Sequence, residues 1–510
     1  MAGIRNPLAR AALAALAVAG ATACATNPVT GRPELVLMSR AREQELSREA
    51  AEQVAAEMGL VSDPQLLDYV DRVGQRVAAR SPRRDVSYAF QVLDTPEPNA
   101  FALPGGHVYV SRGLLALANA EAELANVLGH EIAHVAARHA AQRQTRGVGV
   151  GLVLLPAAVA GAALGVAIGA PGDLLGAAVN APLRLAGSGL IAAYGRDQER
   201  EADRVGQALV AESGTDPRGL AQFMGTLEAY EELTTGEARR RPGFFDTHPS
   251  TPERVANAAG RADELEWTPA PGIAADRAEF LSHLEGIRVG ASPAEGVFEG
   301  SRFLHPDLDL TLVFPEGWTL VNARAGVAAF APERDAQIVL EIDGEGGDPK
   351  AAAGRALESL GSDTSVEVVA VEDLTIGPHP ATRARLRASP GPGQAPLAIE
   401  VTWIAKQGLV YRISAVGERA ASERHQAALA AVPASFRALD AAERARIRDT
   451  RLRVVEAREG ESLAGLCERS GNAWSEAETA VANGLAAGAP LATGQRVKVA
   501  VEQPYRAETP

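Results

Sequence analysis

The sequence predicts a multidomain protein, in which a mainly α-helical domain with a small sheet precedes an α+β domain and a small βααβ module. Three observations support this fold class. The chain has 510 residues, 46% of them hydrophobic, which is enough for two to four domains with full cores. Segments 39–59, 64–79 and 121–143 have the composition or apolar spacing of helices, whereas strand-like alternation dominates between 308 and 416. The net charge of −14 argues against a nucleic-acid partner.

The first 23 residues have the features of a secretory signal peptide. Arg5 and Arg10 precede an Ala/Leu/Val run, and small residues precede Cys24. This cysteine resembles that of the bacterial lipobox, although Ala21 stands where such boxes usually have Leu. We therefore expect acylation of Cys24, a membrane lipid anchor and a periplasmic location. The outer membrane is favoured because no aspartate follows the cysteine, and residues 24–38 would then be an extended lipoprotein tether.

Two helices and a strand are expected before the central motif. Ser39 to Gly59 is an amphipathic helix with Ser39 as N-cap, and Pro64 to Ala79 is a second helix. A strand follows from Val86 to Leu93.

Residues 130–134 have the sequence HEIAH, within a helix expected from Glu121 to Arg143. On a helix, His130 and His134 lie one turn apart on the same face, so both imidazoles can bind one Zn²⁺. Glu131 lies beside that face, where it can act as a general base toward water. The alternative is a surface helix with two incidental histidines.

A third metal ligand is needed, and the segment from Arg196 to Gly206 supplies one. Glu199 and Asp203 have i, i+4 spacing and share a helix face. Glu199 can bind the metal, and Asp203 can accept a hydrogen bond from a ligand imidazole, whereas Glu201 is expected to point elsewhere. A solvated charged helix is the alternative. Together the two motifs predict one Zn²⁺ per chain.

These motifs resemble those of the zinc metallopeptidase family that includes the CAAX prenyl proteases and HtpX, and in particular its periplasmic lipoprotein branch of BepA and LoiP. That family pairs HExxH with a downstream ExxxD, and further matches are NPVTGRPELVLMS at 27–39, NAFALPGG at 99–106 and THPSTPER at 247–254. The resemblance covers about residues 27–260. It implies a zincin-type metalloprotease domain at 39–260, with His130, His134 and Glu199 as zinc ligands and Glu131 as catalytic base.

The resemblance also implies a substrate-binding strand. Asn99 to Gly106 precedes Val108 to Val110, so it can form an edge strand beside the metal helix. In the family such a strand pairs with an extended substrate backbone, which makes Asn99, Ala100 and Phe101 the expected substrate contacts. An ordinary turn into a strand is the alternative.

His248 and Arg254 lie on a Pro-rich segment and are counted with the catalytic residues. The family places this histidine near the zinc. There it would either stabilise the oxyanion of the tetrahedral intermediate or close the fourth metal position. A solvated histidine at a helix start is the alternative. His107 and His139 match no ligand position and are expected to be structural.

Residues 147–172 contain no charged side chain, which raises the possibility of a transmembrane helix. Against this, the run is mostly Gly and Ala, and Pro156 interrupts it. One span would also separate Glu199 from HEIAH across a membrane. We therefore expect mobile apolar helices that pack over or beside the metal site.

The second half of the chain carries no further chemical constellation. Residues 261–297 are expected to be a linker with one helix, Ala275 to Leu284. Residues 298–440 are expected to form an α+β binding or scaffold domain that loosely resembles the PsbP-like fold. Residues 451–502 resemble a divergent LysM module, on the basis of Gly460-Glu-Ser-Leu, Asn483-Gly-Leu and the final strand through Val499. Such modules bind N-acetylglucosamine polymers, so peptidoglycan is a candidate partner, although Glu461 replaces the usual Asp.

Three functions remain open from the sequence. The first is a zinc endopeptidase of the bacterial envelope that cleaves extended or misfolded envelope proteins, as in protein quality control. The second is a chaperone or peptidoglycan-tethered adaptor whose zinc site is mostly closed by His248. The third is a peptidase acting on peptidoglycan cross-link peptides.

Overall fold

The computed structural model describes residues 24–145, 194–234, 243–249, 252–360, 366–389, 395–486 and 488–507. The expected signal peptide and the apolar 147–172 segment lie outside these ranges. None of the helices within them is long and apolar enough to span a membrane.

The described chain begins with a hairpin instead of the expected extended tether. Strand β1 (Cys24–Thr26) pairs with β2 (Pro33–Leu35) in antiparallel register. Asn27 forms the turn, because its side-chain oxygen accepts the backbone N–H groups of Val29 and Thr30. Glu34 then accepts a 2.6 Å hydrogen bond from Gln142, which lies beyond the HEIAH helix. The segment is therefore attached to the folded domain.

The first two predicted helices are confirmed. Helix α1 (Arg40–Met58) is capped by Ser39, whose hydroxyl accepts the N–H of Arg42 at 3.2 Å. Helix α2 (Pro64–Ala78) is capped by Asp63. Strand β3 (Ala89–Leu93) is shorter than predicted, because Val86 to Tyr88 lie outside it.

A small three-stranded sheet follows. Strand β4 (Ala100–Ala102) pairs antiparallel with β5 (His107–Ser111), which pairs parallel with β3. The order β3-β5-β4 leaves β4 at the edge, as predicted. Helix α3 (Arg112–Leu117) connects this sheet to the metal helix α4 (Glu121–Ala136), against which β4 packs.

The metal helix is shorter than predicted. It ends at Ala136, and helix resumes only at 139, because Arg138 adopts a left-handed φ of 59°. The Arg138 guanidinium donates a 2.8 Å hydrogen bond to Glu43 on α1. Glu43 also accepts a 3.1 Å hydrogen bond from Arg83. This buried ion network supports the left-handed residue and fastens α1 to the end of α4.

Helix α5 (Arg196–Glu212) packs directly on α4. Their backbones meet at Gly129 and Gly206, where a Cβ on Gly206 would lie 2.8 Å from the backbone nitrogen of His130. Only glycine permits this approach. Helices α6 (Gly219–Thr234), α7 (Phe244–Thr247) and α8 (Pro252–Glu264) complete the helical part, and α9 (Arg277–Leu284) is the helix expected in the linker.

The α+β unit contains two antiparallel sheets. The smaller sheet has strands β6 (Val297–Glu299), β7 (Arg302–His305) and β8 (Leu310–Val313). The larger sheet has the order β12-β13-β14-β15-β11-β10-β9, and its strands are β9 (Thr319–Ala323), β10 (Gly326–Phe330), β11 (Ala336–Glu345), β12 (Val366–Ile376), β13 (His379–Ala388), β14 (Leu397–Lys406) and β15 (Leu409–Glu418). Its helices are α10 (Pro349–Ser359), α11 (Arg419–Arg424), α12 (Gln426–Ala434) and α13 (Ala441–Arg446).

The C-terminal module has the expected βααβ order: β16 (Arg448–Glu456), α14 (Leu463–Ser470), α15 (Glu476–Ala482) and β17 (Arg496–Pro504). It packs against the helical domain, because Leu452 and Ala482 belong to the same apolar core as α2, α4 and α5. Lys498 is fully buried, and its ammonium donates hydrogen bonds to the carbonyls of Ala116 (2.8 Å) and Ala118 (2.6 Å), just before the metal helix.

Lys498→Met should test this docking. Methionine keeps most of the apolar length but leaves the two buried carbonyls without their donor, so we expect the free energy of unfolding to fall by about 2 kcal/mol. The matched control is Lys350→Met, which removes an exposed ion pair with Asp373 and should leave the stability nearly unchanged. Chemical denaturation of the full chain measures both. Equal effects would show that Lys498 does not hold the module.

Candidate active site

Four buried side chains from three separate segments converge beside helix α4. They are His130, His134, Glu199 and His248, and one potential ligand atom from each lies within 4.8 Å of the others. His130 Nε2 is 3.0 Å from His134 Nε2 and 3.2 Å from His248 Nδ1. Glu199 Oε1 is 3.4 Å from His134 Nε2 and 3.2 Å from His248 Nδ1. The structure thus brings the three predicted ligands together and adds His248 to them.

The donor set fits Zn²⁺. Imidazole nitrogens and one carboxylate are typical zinc ligands, and here ring nitrogens face one another at distances that a shared cation would satisfy. Glu131 lies alongside, completely buried, and neither of its carboxylate oxygens has a hydrogen-bond partner among the described residues. Its Oε1 lies 3.5 Å from His248 Nε2. A buried carboxylate that accepts no hydrogen bond is costly in a purely structural role, so its position indicates chemistry.

The electrostatics of the cluster also favour a cation. Burial lowers the pKa of the His134 imidazole well below its ordinary value. At His130 burial acts in the same direction, but hydrogen bonds to Asp203 and Glu199 outweigh it and raise the pKa to about 10. Burial acts to raise the pKa of Glu199, yet His248 and the other histidines hold that pKa well below its usual range. The carboxylates of Asp203 and Glu199 therefore strongly favour a positive charge next to His130.

Asp203 and Arg254 form a second layer behind the ligands. Asp203 Oδ1 lies 3.0 Å from His130 Nδ1, in the orienting position that the sequence predicts. Arg254 donates two hydrogen bonds of 2.8 Å to Asp203, and its Nη1 lies 2.9 Å from Glu199 Oε2. The same guanidinium donates to the backbone carbonyls of His248 and Pro249. Arg254 thus contacts ligands and their supports, and it holds the segment that carries His248.

The structure adds a second orienting pair that sequence reasoning missed. His139 Nδ1 lies 2.8 Å from His134 Nδ1, and His139 Nε2 lies 3.1 Å from Glu201 Oε2. His139 was expected to be merely structural and Glu201 to point elsewhere. On a continuous helix a residue five positions after His134 would face another direction. The left-handed Arg138 turns His139 back, and no spacing rule signals that break.

Aromatic rings enclose the histidines. Tyr194 stacks on His134 with a centroid distance of 3.8 Å, and Phe244 stacks on His248 at 4.5 Å. Burial raises the pKa of Tyr194 to about 12, which keeps its hydroxyl protonated. Neither ring was singled out from the sequence, because a lone aromatic residue far from the motif carries no positional signal. Both restrict the rotation of the ligand imidazoles.

The predicted substrate strand is present, but its side chains point into the protein. Asn99, Ala100 and Phe101 are all at least 95% buried, and the Phe101 ring packs against Tyr109 at 5.0 Å. Asn99 and Phe101 occupy the positions that bond to β5, since the Asn99 carbonyl accepts the N–H of Ser111. The backbone groups of Ala100 therefore point away from β5, to a side where no described strand pairs but where Ala100 is completely buried and the N–H of Phe244 bonds the Pro98 carbonyl. Any substrate contact here would be made through backbone.

Comparison with known proteins agrees with this geometry. Residues 64–262 match peptidase family M48. The chain is 31% identical over 247 residues to the mitochondrial metalloendopeptidase OMA1 of Schizosaccharomyces pombe, covering 48% of this chain and 66% of that protein. It is 28% identical over 261 residues to the beta-barrel assembly-enhancing protease of Escherichia coli K12, covering 49% of this chain and 50% of that protein. The chain thus spans about half the length of the assembly-enhancing proteases that it matches.

One of the solved structures that resemble this chain matches less than a third of it. It is cyanobacterial PsbP from Synechocystis sp. PCC 6803, which is 13% identical, with a TM-score of 0.24, over 28% of this chain and 95% of that one. A likeness at that score carries no argument, and the PsbP-like fold expected for residues 298–440 stays a prediction.

Removing the His139–Glu201 pair should weaken zinc binding. Both His139→Ala and Glu201→Gln should raise the zinc dissociation constant roughly 10- to 100-fold, because His134 loses the hydrogen bond that orients its ring. Competition with a chromogenic chelator measures this without any assay of activity. The control is Arg200→Ala, an exposed neighbour on the same helix. Unchanged zinc affinity in both variants would reduce the pair to a packing role.

Proposed function

The chain carries a metallopeptidase domain of peptidase family M48, and from that premise we propose that the protein is a zinc-dependent endopeptidase of the bacterial cell envelope that cleaves extended or misfolded envelope proteins. The observation that carries the proposal is the buried cluster of His130, His134, Glu199 and His248, with the carboxylate of Glu131, which accepts no hydrogen bond from the described residues, beside it. The buried carboxylate of Glu131, placed as a general base beside the ligands, favours catalysis over a purely structural metal.

Each residue of the site would have a separate role in peptide hydrolysis. His130, His134 and Glu199 would hold one Zn²⁺, which when bound polarises a peptide carbonyl and acidifies water. Glu131 accepts the proton from the attacking water and later delivers it to the leaving amine. Burial raises the pKa of the Glu131 carboxyl, which brings its basicity closer to that needed near neutral pH. Asp203 and Arg254 hold the His130 ring and the Glu199 carboxylate in position.

Substrate would bind as an added strand. Strand β4 lies against the metal helix, and no described strand pairs with its side away from β5. An extended peptide that reaches this buried side would pair with it through main-chain hydrogen bonds. Such pairing requires an unfolded or looped segment and depends little on side-chain identity. This supports extended and misfolded proteins as the substrate class.

The cellular location rests on two supports. Some relatives carry the name beta-barrel assembly-enhancing protease, which describes a task in the bacterial envelope. Cys24 stands after a signal-like segment, which supports a lipoprotein held at the outer membrane. If Cys24→Ser leaves the protein in the membrane fraction, the lipid anchor is excluded.

A mostly closed enzyme is the second candidate, and the position of His248 favours it. The Nδ1 atom of His248 lies as near to His130 and Glu199 as a fourth ligand would, so it competes with water for the open position. The protein would then act as a chaperone or adaptor until His248 moves. Only the LysM-like motifs support peptidoglycan contact through residues 451–502 or cleavage of cross-link peptides.

Glu131→Gln tests the catalytic proposal. We expect the variant to keep about one zinc per chain, because Glu131 is not a ligand, and to lose casein cleavage by about a thousandfold, because an amide cannot accept the proton. Zinc is measured by elemental analysis and cleavage by release of labelled peptides. Glu212→Gln, at the exposed end of α5, is the control and should behave as wild type. Near-normal cleavage by Glu131→Gln would exclude this role.

His248→Ala separates the two roles of this histidine. If His248 closes the fourth metal position, its removal should raise basal casein cleavage while zinc is retained by the other three ligands. If it stabilises the oxyanion, turnover should instead fall about a hundredfold. The geometry favours the first result. His107→Ala, on β5 and outside the cluster, is the control. A loss of turnover without loss of zinc would reject gating.

A further inference from the structure

The motif NPVTGRPELVLMS at residues 27–39 has no part in the peptidase chemistry proposed above, yet it lies close to the metal site. Most of it belongs to the N-terminal hairpin and the extended stretch that leads to α1. From Glu34 onward this stretch runs beside residues 138–145, which continue the chain beyond the metal helix. The motif therefore contacts the part of the domain that supports the zinc ligands.

Hydrogen bonds join the two segments at three places. They run from Gln142 to Glu34 (2.6 Å), from the Leu37 N–H to Thr145 (3.0 Å) and from Arg138 to the Met38 carbonyl (2.9 Å). All three bonds are at least partly buried, so water competes poorly with them. Val36 and Met38 also pack with Ala141 in one apolar cluster. The N-terminal segment thus fixes the course of residues 138–145.

The segment that is held in this way departs from the regular helix. Arg138 has a φ of 59°, which is unfavourable for a residue with a side chain and persists only where its surroundings hold it. The Met38 carbonyl is one of its supports, in addition to Glu43 of α1. This turn brings His139 within 2.8 Å of the Nδ1 atom of His134. The orientation of a zinc ligand therefore depends on contacts made from the N-terminal segment.

The same contacts extend to the helix that carries Glu199. Gln142 accepts a 3.2 Å hydrogen bond from Gln198, whose side-chain oxygen accepts a backbone N–H at the start of α5. Gln198 also donates to the His139 carbonyl at 3.4 Å. Glu199 is the next residue and lies in the first turn of α5. Glu34 is therefore connected through two side chains to the turn that presents a metal ligand.

Glu34 is itself held in a defined position. Its Oε1 accepts a 2.9 Å hydrogen bond from Asn27, which is 2% exposed and forms the turn of the hairpin. Its Oε2 accepts the bond from Gln142. Both carboxylate oxygens thus have donors, and Glu34 is the only acidic residue between 24 and 38. The hairpin turn sets the position of the one carboxylate that meets Gln142.

A packing role alone is the alternative for this segment. The places of contact favour a more specific role, because Arg138 and Gln142 lie on either side of His139. Contacts made for stability alone have no reason to bracket the residue that orients a ligand. The two roles also predict different results, since packing affects the unfolding of the domain and positioning affects the metal that the folded domain binds.

We propose that residues 27–38 are a positioning segment of the zinc site, which acts through residues 138–145 and the first turn of α5. Glu34 is its main positioning residue, because its contact with Gln142 leads to both of these supports. The segment sets how tightly and in which geometry the metal is held. This role rests on the zinc site alone and is independent of the substrate and the cellular location proposed above.

Zinc affinity tests the role of Glu34 without any assay of activity. In the full chain Glu34→Ala should raise the zinc dissociation constant roughly three- to tenfold, which is less than for a direct partner of a ligand because Glu34 acts through Gln142. Competition with a chromogenic chelator measures it. The matched control is Arg32→Ala, an exposed residue of the same hairpin, which should bind zinc as the parent chain does. Equal affinities in both variants would overturn the proposal.

An exchange of partners tests whether the contact itself matters. Gln142→Glu places a second carboxylate against Glu34 and should weaken zinc binding more than Glu34→Ala does. Adding Glu34→Gln restores a donor opposite an acceptor, so the double variant should recover part of the lost affinity. A double variant that binds zinc no better than Gln142→Glu would show that this contact does not act on the metal.

Cobalt(II) in place of zinc separates positioning from packing. Its visible absorption reports ligand geometry, so the spectrum should change in Glu34→Ala and stay the same in Arg32→Ala. Chemical denaturation of the metal-free full chain gives the stability of each variant. A loss of stability in Glu34→Ala with an unchanged cobalt spectrum and unchanged zinc affinity would reduce the segment to packing and overturn the proposal.

The effect on catalysis has its own measurement at saturating zinc. Glu34→Ala should lower kcat for casein severalfold and leave KM unchanged, because the segment acts on the metal ligands. A raised KM with unchanged kcat would assign the segment to substrate binding and overturn the positioning role. If the parent chain does not cleave casein, the proposed function fails, whereas the zinc and cobalt measurements still decide whether Glu34 positions the metal site.

Discussion

The close contact between Gly129 and Gly206 determines whether the metal cluster can form. At this point the backbones of α4 and α5 touch, and even a methyl group on Gly206 would collide with the peptide that leads into His130. Glu199 lies two helical turns before Gly206, so the separation of the helices there sets the reach of its carboxylate toward both histidines. A wider crossing would move the third ligand away from the other two.

The second layer couples the fourth donor to the first ligand. Arg254 binds Asp203, which orients His130, and it also binds the backbone carbonyls of His248 and Pro249. Withdrawal of the whole His248 segment would break these bonds and leave a buried charge with fewer partners, which is costly. Rotation of the His248 side chain alone breaks none of them. Side-chain rotation must instead break the contacts of His248 with Glu199 and Phe244.

Local rules account for much of what the sequence predicted. Ser39 begins its helix as a cap, and the spacing of HEIAH and of Glu199 with Asp203 places those side chains on shared faces. Spacing failed where the backbone left the regular helix. The left-handed Arg138, stabilised by Glu43 from a distant helix, redirects His139 toward His134. Such long-range ion pairs leave no periodic pattern in the sequence. The burial of Lys498 could not be predicted either, because the carbonyls that it bonds are also distant in the sequence.

The segment expected to be a linker instead fixes the α+β unit in place. The backbone from Gly286 to Val289 pairs with β16, through hydrogen bonds to Thr450 and Leu452. Arg288 joins Asp94 of the peptidase domain to Asp449 of the C-terminal module. The chain therefore enters and leaves the α+β unit at one place, where the two segments are joined by hydrogen bonds and ion pairs.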